Sequence, residues 1–183
     1  MIKQIRFVQW ISVLLMASVA YGPAMAAPGK ELDKESRAAL QSLYAKNPGA
    51  KALGAKAKGI LVFPKVTKVG LIVGGQGGDG VLFEKGKRAG YYSTGAASVG
   101  LQAGAQTYGY ALFFMTDEDL TYLKTSSGWS IGTGPNIVIV DAGAAKDAST
   151  LTGKSGVYAF IFDQKGLMAG LGLVGQKISR IEK

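Results

Sequence analysis

Short apolar segments separated by glycine-containing turns dominate the chain after residue 60. Examples are ILVF, GVLFEKG, IVIVDAG and VYAFIFD. Runs of this length with turn residues between them predict β-strands that pair antiparallel. Glycines also fall inside the runs, as in GAASVGLQAGAQTYG, and a sheet keeps glycine where it bends, bulges or lets another backbone come close. The sequence therefore predicts a strongly curved antiparallel sheet or a small barrel.

Two amphipathic segments predict helices that flank or interrupt these strands. ELDKESRAALQSLYAK has apolar residues at helical spacing, and Asp33 stands four residues before Arg37. DEDLTYLKTS follows Thr116, which suits an N-cap, and it begins with acidic residues and carries Lys124 near its end. We therefore expect one N-terminal helix of roughly four turns and one helix inserted among the strands.

A second N-terminal helix is predicted from its start signal. Asn47 suits an N-cap, Pro48 suits the first helical position, and the helix is expected to continue through GAKALGAKAK to a boundary near Gly59. On such a helix Lys51 and Lys58 share one side. The opposite, apolar side carries Leu53, Ala57 and Ile60.

The first 26 residues have the three parts of a secretory signal peptide. Lys3 and Arg6 precede an apolar run from Ile11 to Ala20, and the small residues of AMA end at Ala26. The run is shorter than the ~20 residues that span a bilayer. We therefore predict cleavage after Ala26, export to the periplasm and a single domain of residues 27–183.

Charge and missing residue types limit the function. Without the two basic residues of the signal, 19 basic residues stand against 12 acidic ones, a net charge of +7. A basic exported protein is expected to meet an anionic membrane surface, and no nucleic acid. The chain has no His and no Cys, so it lacks the usual nucleophile triads and zinc ligands.

The segment VGGQGGDGVLF has glycines at residues 74, 75, 77, 78 and 80, and it fits three interpretations. GxGxxG is the spacing of a dinucleotide fingerprint, but a strand-like run that turns again at Lys85-Gly86 follows where a helix is required. GGxGxD begins a calcium-binding nonapeptide, but such repeats bind only as stacked copies. A turn with backbone at positive φ is the favoured interpretation, and no cofactor or metal is expected.

Other candidate motifs carry little chemistry. ASTLTGKSG ends like a phosphate-binding loop, but Ala148 stands where its first glycine must be. Asp79, Asp141 and Asp163 lie at predicted strand ends or turns, where Asp is common. Because no pair of carboxylates can be placed together, the sequence predicts no catalytic residues and no enzyme.

Basic residues are concentrated in one window. From Ser36 to Gly78 there is no Asp or Glu, whereas seven basic residues fall there. A solvated helix face is one interpretation. The other is a patch for anionic head groups, where each Lys near a charged bilayer contributes ~1 kcal/mol. The candidate head-group-binding residues are Lys46, Lys51, Lys56, Lys58, Lys65 and Lys68.

Four segments in order resemble the SYLF domain in its bacterial exported form. They are AKAKGILVFPKVTKVGLIVGGQGGDGVL, GYYSTGAASVGLQAGAQ, ALFFMTDEDL and GLMAGLGLVGQKI, and the similarity runs from about Leu32 to Ile181. The resemblance implies a lipid-binding module with no enzymatic activity, because eukaryotic SYLF domains bind phosphoinositide membranes and some fungal relatives bind actin filaments. It also implies that the glycine cluster belongs to the family framework.

Two features depart from the eukaryotic members. Those insert an amphipathic N-terminal helix into the bilayer, whereas ELDKESRAALQSLYAK has mixed charge and only Tyr44 as a bulky aromatic residue, so it is expected to cover the sheet. A bacterial exported protein also meets neither phosphoinositides nor actin in its own compartment.

The sequence thus predicts an α+β domain, in which a strongly curved antiparallel sheet or small barrel-like sheet packs with short N-terminal helices and one inserted helix. The expected function is non-enzymatic binding of anionic phospholipid in the bacterial cell envelope, with peripheral membrane attachment. The alternative is an envelope scaffold or protein-interaction domain with an envelope protein as partner and incidental lipid affinity.

Overall fold

The computed structural model describes residues 29–70, 73–99, 104–141, 156–166, 173 and 175–183. The predicted signal peptide and most of ASTLTGKSG and GLMAGLGLVG lie outside the described residues. The helices are α1 (Gly29–Lys46), α2 (Pro48–Gly54) and α3 (Asp117–Thr125). The strands are β1 (Gly59–Gly70), β2 (Val73–Glu84), β3 (Lys87–Val99), β4 (Gly104–Phe114), β5 (Trp129–Ser130), β6 (Ile137–Asp141), β7 (Val157–Gly166) and β8 (Lys177–Ile181). Within the described residues, no helix combines the length and apolar character needed to cross a bilayer.

The strands form one sheet in the order β5-β8-β3-β2-β1-β4-β7-β6. Neighbouring strands are antiparallel, except that β6 runs parallel to β7. The sheet is strongly curled into a half-barrel, and its order has β5 and β6 as edges over the described residues. The predicted α+β fold with a strongly curved sheet is confirmed, with one parallel pair that the sequence pattern did not indicate.

The helix start signals act as predicted. Asn47 caps α2 by accepting a hydrogen bond from the backbone N–H of Ala50 at 2.8 Å, and Pro48 is its first residue. Thr116 caps α3 in the same way through the N–H of Asp119 at 3.2 Å. These caps satisfy backbone donors that a helix leaves without a partner in its first turn.

The second helix is shorter than predicted, because it ends at Gly54. Lys58 and Ile60 therefore do not share a helix with Lys51, and the predicted common face of Lys51 and Lys58 is wrong. The backbone N–H of Lys58 donates to the carbonyl oxygen of Phe114 at 2.8 Å, next to the β1–β4 pairing. Pairing with a distant strand thus prevails over the local helical spacing.

Alternate residues of the central strands pack into two separate cores. In β1, Ile60 and Val62 lie in the core beneath α1 and α2, which we call the α1–α2 face. Leu61 and Phe63 point to the other side, the α3 face, where they join Leu120 of α3. Since both faces are covered here, this stretch of β1 is a continuous apolar run and does not alternate with polar residues.

The glycine-rich segment VGGQGGDGVLF forms strand β2, so its interpretation as a turn at positive φ is wrong. A Cβ atom on Gly80 would lie 2.5 Å from the carbonyl oxygen of Val62 and 2.6 Å from the Phe63 ring. A Cβ atom on Gly78 would collide with the carbonyl oxygen of Lys65. The β1–β2 register shifts in this region. Glycine is required here because β1 approaches β2 closely, which is the other role expected of glycine within strands.

Candidate functional site

The six lysines proposed from the sequence are divided among separate parts of the surface. Lys51 and Lys56 are exposed on and just after α2, with no acidic side chain at ion-pair distance in the described part of the chain. Lys46 Nζ lies 2.8 Å from Asp163 Oδ1, and Lys58 Nζ lies 3.2 Å from Asp117 Oδ2. The window from Ser36 to Gly78 has no acidic residue of its own, but the fold places acidic residues of β7 and α3 next to two of its lysines.

Lys65 and Lys68 lie towards the far end of β1. Because a strand rises ~3.3 Å per residue, Lys68 is roughly 30 Å along the chain from Lys58. Lys68 is buried and stands opposite Gln76 and Gln106 in the neighbouring strands, whereas Lys65 is exposed. The six lysines therefore do not form one continuous patch.

A pocket of about 530 Å³ opens on the α1–α2 face. It is bounded by α1, by the segment from the end of α2 to the start of β1, and by the hairpin between β2 and β3. Its volume lies within the ~300–1,000 Å³ range of small-molecule sites. The apolar side chains that line it are Leu40, Tyr44, Ala55, Ala57, Ile60 and Phe83.

Arg37 is held on one side of this pocket by three contacts. Its guanidinium lies 4.6 Å above the Phe83 ring, and its Nη1 donates to the carbonyl oxygen of Gly86 at 3.1 Å. Its Nε lies 3.5 Å from Asp33 Oδ2, which confirms the ion pair predicted within α1. The guanidinium is thereby fixed in position while its side chain remains exposed enough to meet a ligand.

Lys85 lines the same pocket from the turn between β2 and β3. The two turn residues, Lys85 and Gly86, have φ of 49° and 76°, as in a type I′ hairpin turn. The turn predicted at Lys85-Gly86 is confirmed. A lysine in this left-handed conformation is strained by ~1 kcal/mol or more, and Asn or Gly is the usual residue there.

Tyr44 forms part of the pocket wall, and its burial raises the pKa of the phenol to about 12. A Cβ atom on Gly54 would collide with the Tyr44 hydroxyl, so glycine at this position leaves room for the ring. The ring also packs at 6.3 Å from that of Phe113. The wall is thus fixed by core packing.

The pocket combines an apolar wall with positive charge, which suits an anionic, partly apolar molecule. Arg37 and Lys85 are the charged residues among those that line it, and no carboxylate does so. Over the described residues, no group of three or more acidic side chains could hold a metal ion. Lys85 was recognised in the sequence only as a turn residue, and its unusual place before Gly86 is the one local signal that could have drawn attention to it.

A second polar cluster on the α3 face is fully engaged in internal hydrogen bonds. Tyr110 donates to Thr94 at 2.8 Å, and Thr94 donates to the Gln176 amide oxygen at 2.8 Å. The Gln176 amide donates to Tyr108 at 3.0 Å, and Tyr108 donates to Gln76 at 3.0 Å. Burial raises the pKa of both tyrosines. The chain of hydrogen bonds ties β2, β3 and β4 to the segment before β8, which is a structural role.

Comparisons with known proteins identify one family. The model of the family described as "Ysc84: Las17-binding protein actin regulator" matches residues 95–183. The match begins in β3 and covers slightly less than half of the chain, at its C-terminal end, so the pocket residues precede it. No curated protein matches the chain. The family match confirms the resemblance to the SYLF domain over residues 95–183.

Proposed function

Residues 95–183 belong to the SYLF domain family, and from this membership we propose that the protein binds anionic phospholipid as a non-enzymatic component of the bacterial cell envelope. The family relationship suggests a lipid-binding or actin-regulator-like domain. The basic character of the chain and its predicted signal peptide favour the first of these, since an exported bacterial protein does not meet actin.

The observation that carries the proposal is the cationic, apolar pocket on the α1–α2 face. Arg37 and Lys85 line it without a carboxylate, the exposed Lys56 belongs to the segment that forms one of its walls, and the exposed Lys51 lies earlier, on α2. A phospholipid offers the complementary surface, with an anionic head group above apolar chains. Lysines close to an anionic bilayer add ~1 kcal/mol each, so a few suffice for salt-sensitive attachment.

This proposal assigns head-group binding to fewer lysines than the six predicted from the sequence. Lys51 and Lys56 have no acidic partner among the described residues, whereas Lys46 and Lys58 have part of their charge neutralised by Asp163 and Asp117. We therefore assign the electrostatic contribution mainly to Lys51 and Lys56 together with the pocket cations.

The alternative is a scaffold that binds another envelope protein. The matched family is described as Las17-binding, a protein interaction. At the far end of the sheet Val69 and Val73 are 50% and 70% exposed, which suits contact with a protein surface. Binding of that kind would survive high salt and need no lipid.

Vesicle flotation of the purified protein tests the proposal. The protein should float with vesicles rich in phosphatidylglycerol or cardiolipin and not with phosphatidylcholine vesicles, and binding should fall as salt rises. The double variant Lys51→Glu with Lys56→Glu should weaken partitioning by about 30-fold or more, because at least ~2 kcal/mol of attraction is lost.

The matched control reverses the charge of two exposed lysines on strands β7 and β8, Lys165→Glu with Lys177→Glu. It should retain most of the binding. Equal losses from the two double variants would show that net charge alone drives adsorption. Failure of the wild type to float with any anionic vesicle would reject lipid binding and leave the scaffold as the better account.

A further inference from the structure

We infer that the pocket on the α1–α2 face takes one acyl chain of an anionic amphiphile and binds its head group at Arg37 and Lys85. The inference rests on the proposed lipid-binding function and goes beyond it. Attachment to a bilayer surface requires only exposed charge, whereas this pocket would hold a single chain out of water.

The apolar part of the pocket is continuous with the protein core. Ile60 and Phe83 belong to the buried core beneath α1 and α2, and Leu40, Tyr44 and Ala57 pack against the same core while remaining partly exposed. A chain that enters would therefore replace water on an apolar wall that core packing already holds in position. Binding to such a preformed apolar site costs little reorganisation.

Small residues keep the pocket open on the side of α2. Gly54, Ala55 and Ala57 line this wall, where larger side chains would occupy the space. Gly54 also accommodates the Tyr44 ring. A larger side chain on this wall would therefore occupy the space of the pocket.

The charged part of the pocket is placed to receive an anion. Arg37 is anchored by Phe83 and Gly86, and a guanidinium has more N–H donors than its contacts with Gly86 and Asp33 use. Charge-assisted hydrogen bonds from such a group to phosphate or carboxylate oxygens are strong and directional. Asp33 offsets part of its charge, so Lys85 supplies the second cation.

The conformation of Lys85 adds an independent argument. Its φ of 49° followed by Gly86 is the geometry for which Asn-Gly is the preferred sequence. The chain instead keeps a cation there at a cost in stability, beside an apolar pocket. Strain that persists next to a cavity is typical of a binding residue.

The test uses dodecyl phosphate below its micelle-forming concentration, titrated into the purified protein by calorimetry. Ala57→Phe should fill the pocket and weaken binding at least tenfold. The matched control is Ala52→Phe, the same change at an exposed position of α2 outside the pocket, and it should bind like the wild type. Dodecyl phosphocholine, with a neutral head group, should bind more weakly than dodecyl phosphate.

Lys85→Asn separates binding from folding. It should raise the melting temperature, because Asn suits the left-handed turn position, and it should weaken dodecyl phosphate binding about fivefold by removing one cation. Loss of affinity in a more stable protein cannot result from unfolding. Unchanged affinity in this variant would overturn the head-group assignment.

Flotation distinguishes this inference from the proposed function. If the wild type floats with anionic vesicles but does not bind dodecyl phosphate, or if Ala57→Phe binds it normally, the acyl-chain pocket is wrong and surface attachment stands. If the wild type neither floats nor binds dodecyl phosphate, both proposals are wrong.

Discussion

The central strands have two halves that are built differently. The bulky halves, Ile60–Phe63 of β1, Val81–Phe83 of β2 and Ala111–Phe114 of β4, are buried on both faces. The glycine halves, Gly74–Gly78 of β2 and Gly104–Thr107 of β4, carry mostly glycine, alanine and short polar residues. The same strands thus pass from a two-sided core to a thin sheet.

The two halves show that one sheet can be held together by different forces along its length. In the bulky halves, side chains bury apolar area against α1, α2 and α3. In the glycine halves, the ladder of backbone hydrogen bonds remains, but there is little side-chain volume to bury. The pocket lies over the bulky halves, where a rigid support is available for binding.

The largest expected difference is in the cost of removing a side chain from each half. Phe113 is fully buried and packs edge-on against Phe160, with ring centroids 5.1 Å apart. Phe113→Ala should lower the free energy of unfolding by ~3–5 kcal/mol through lost burial and the cavity left behind. Urea unfolding of the variant and the wild type measures this.

Val69→Ala is the corresponding truncation at the end of the sheet that contains the glycine halves. Val69 is half exposed, so its truncation should change the free energy of unfolding by less than ~0.5 kcal/mol. A loss as large as that of Phe113→Ala would mean that this end of the sheet is covered in solution, and the two halves would no longer differ as described.

A smaller difference in stability is expected between alanine substitutions at two glycines of β2. A Cβ atom on Gly80 would approach the Val62 carbonyl oxygen and the Phe63 ring, so Gly80→Ala should cost ~1–3 kcal/mol by overpacking. A Cβ atom on Gly75 would lie 3.7 Å from the Ala96 carbonyl oxygen, an ordinary contact. Gly75→Ala should therefore be neutral or stabilise by ~0.5–1 kcal/mol.

Thermal or urea unfolding of both alanine variants checks this pair. A similar loss at both positions would argue that all the glycines of β2 serve a common backbone requirement. A loss only at Gly80 would restrict that requirement to the place where β1 approaches.

Features decided within a few residues were predictable from the sequence. The Asn47 and Thr116 caps, the Asp33–Arg37 pair and the Lys85-Gly86 turn depend on neighbours at fixed spacing, and each is present in the structure. Burial of α1 on the sheet follows in the same way from its apolar spacing. The glycines within the strands also predicted the strong curvature of the sheet.

Features that depend on distant partners were not predictable. The requirement for glycine at position 80 arises from β1, and the ion pair of Lys46 arises from Asp163, which is 117 positions along the chain. The end of α2 is set by pairing with β4. The pocket joins three segments that no spacing relates, and none of the six lysines proposed from the sequence lines it.

The smallest expected effect compares tyrosines on the two faces at alkaline pH. Burial raises the pKa of Tyr44 in the pocket to about 12, and burial raises the pKa of Tyr110 on the α3 face well above its usual value. An unfolded tyrosine ionises near pH ~10, so above this pH the unfolded state binds fewer protons than the native state. The contribution of Tyr44 is therefore complete below about pH 10 and is lost as pH rises towards about 12.

Tyr44→Phe should make the loss of stability over this range shallower while changing stability little at neutral pH, because the Tyr44 hydroxyl makes no hydrogen bond within the described residues. Tyr110→Phe should also reduce the alkaline loss, but it removes a donor to Thr94 and should cost ~1 kcal/mol at neutral pH as well. Urea unfolding at about pH 7, 9 and 11 separates the two variants. If Tyr44→Phe and the wild type lose stability equally between about pH 9 and 11, the Tyr44 ring is not held in a partly buried pocket wall, and the rigid support assigned to the bulky halves would not extend to the pocket.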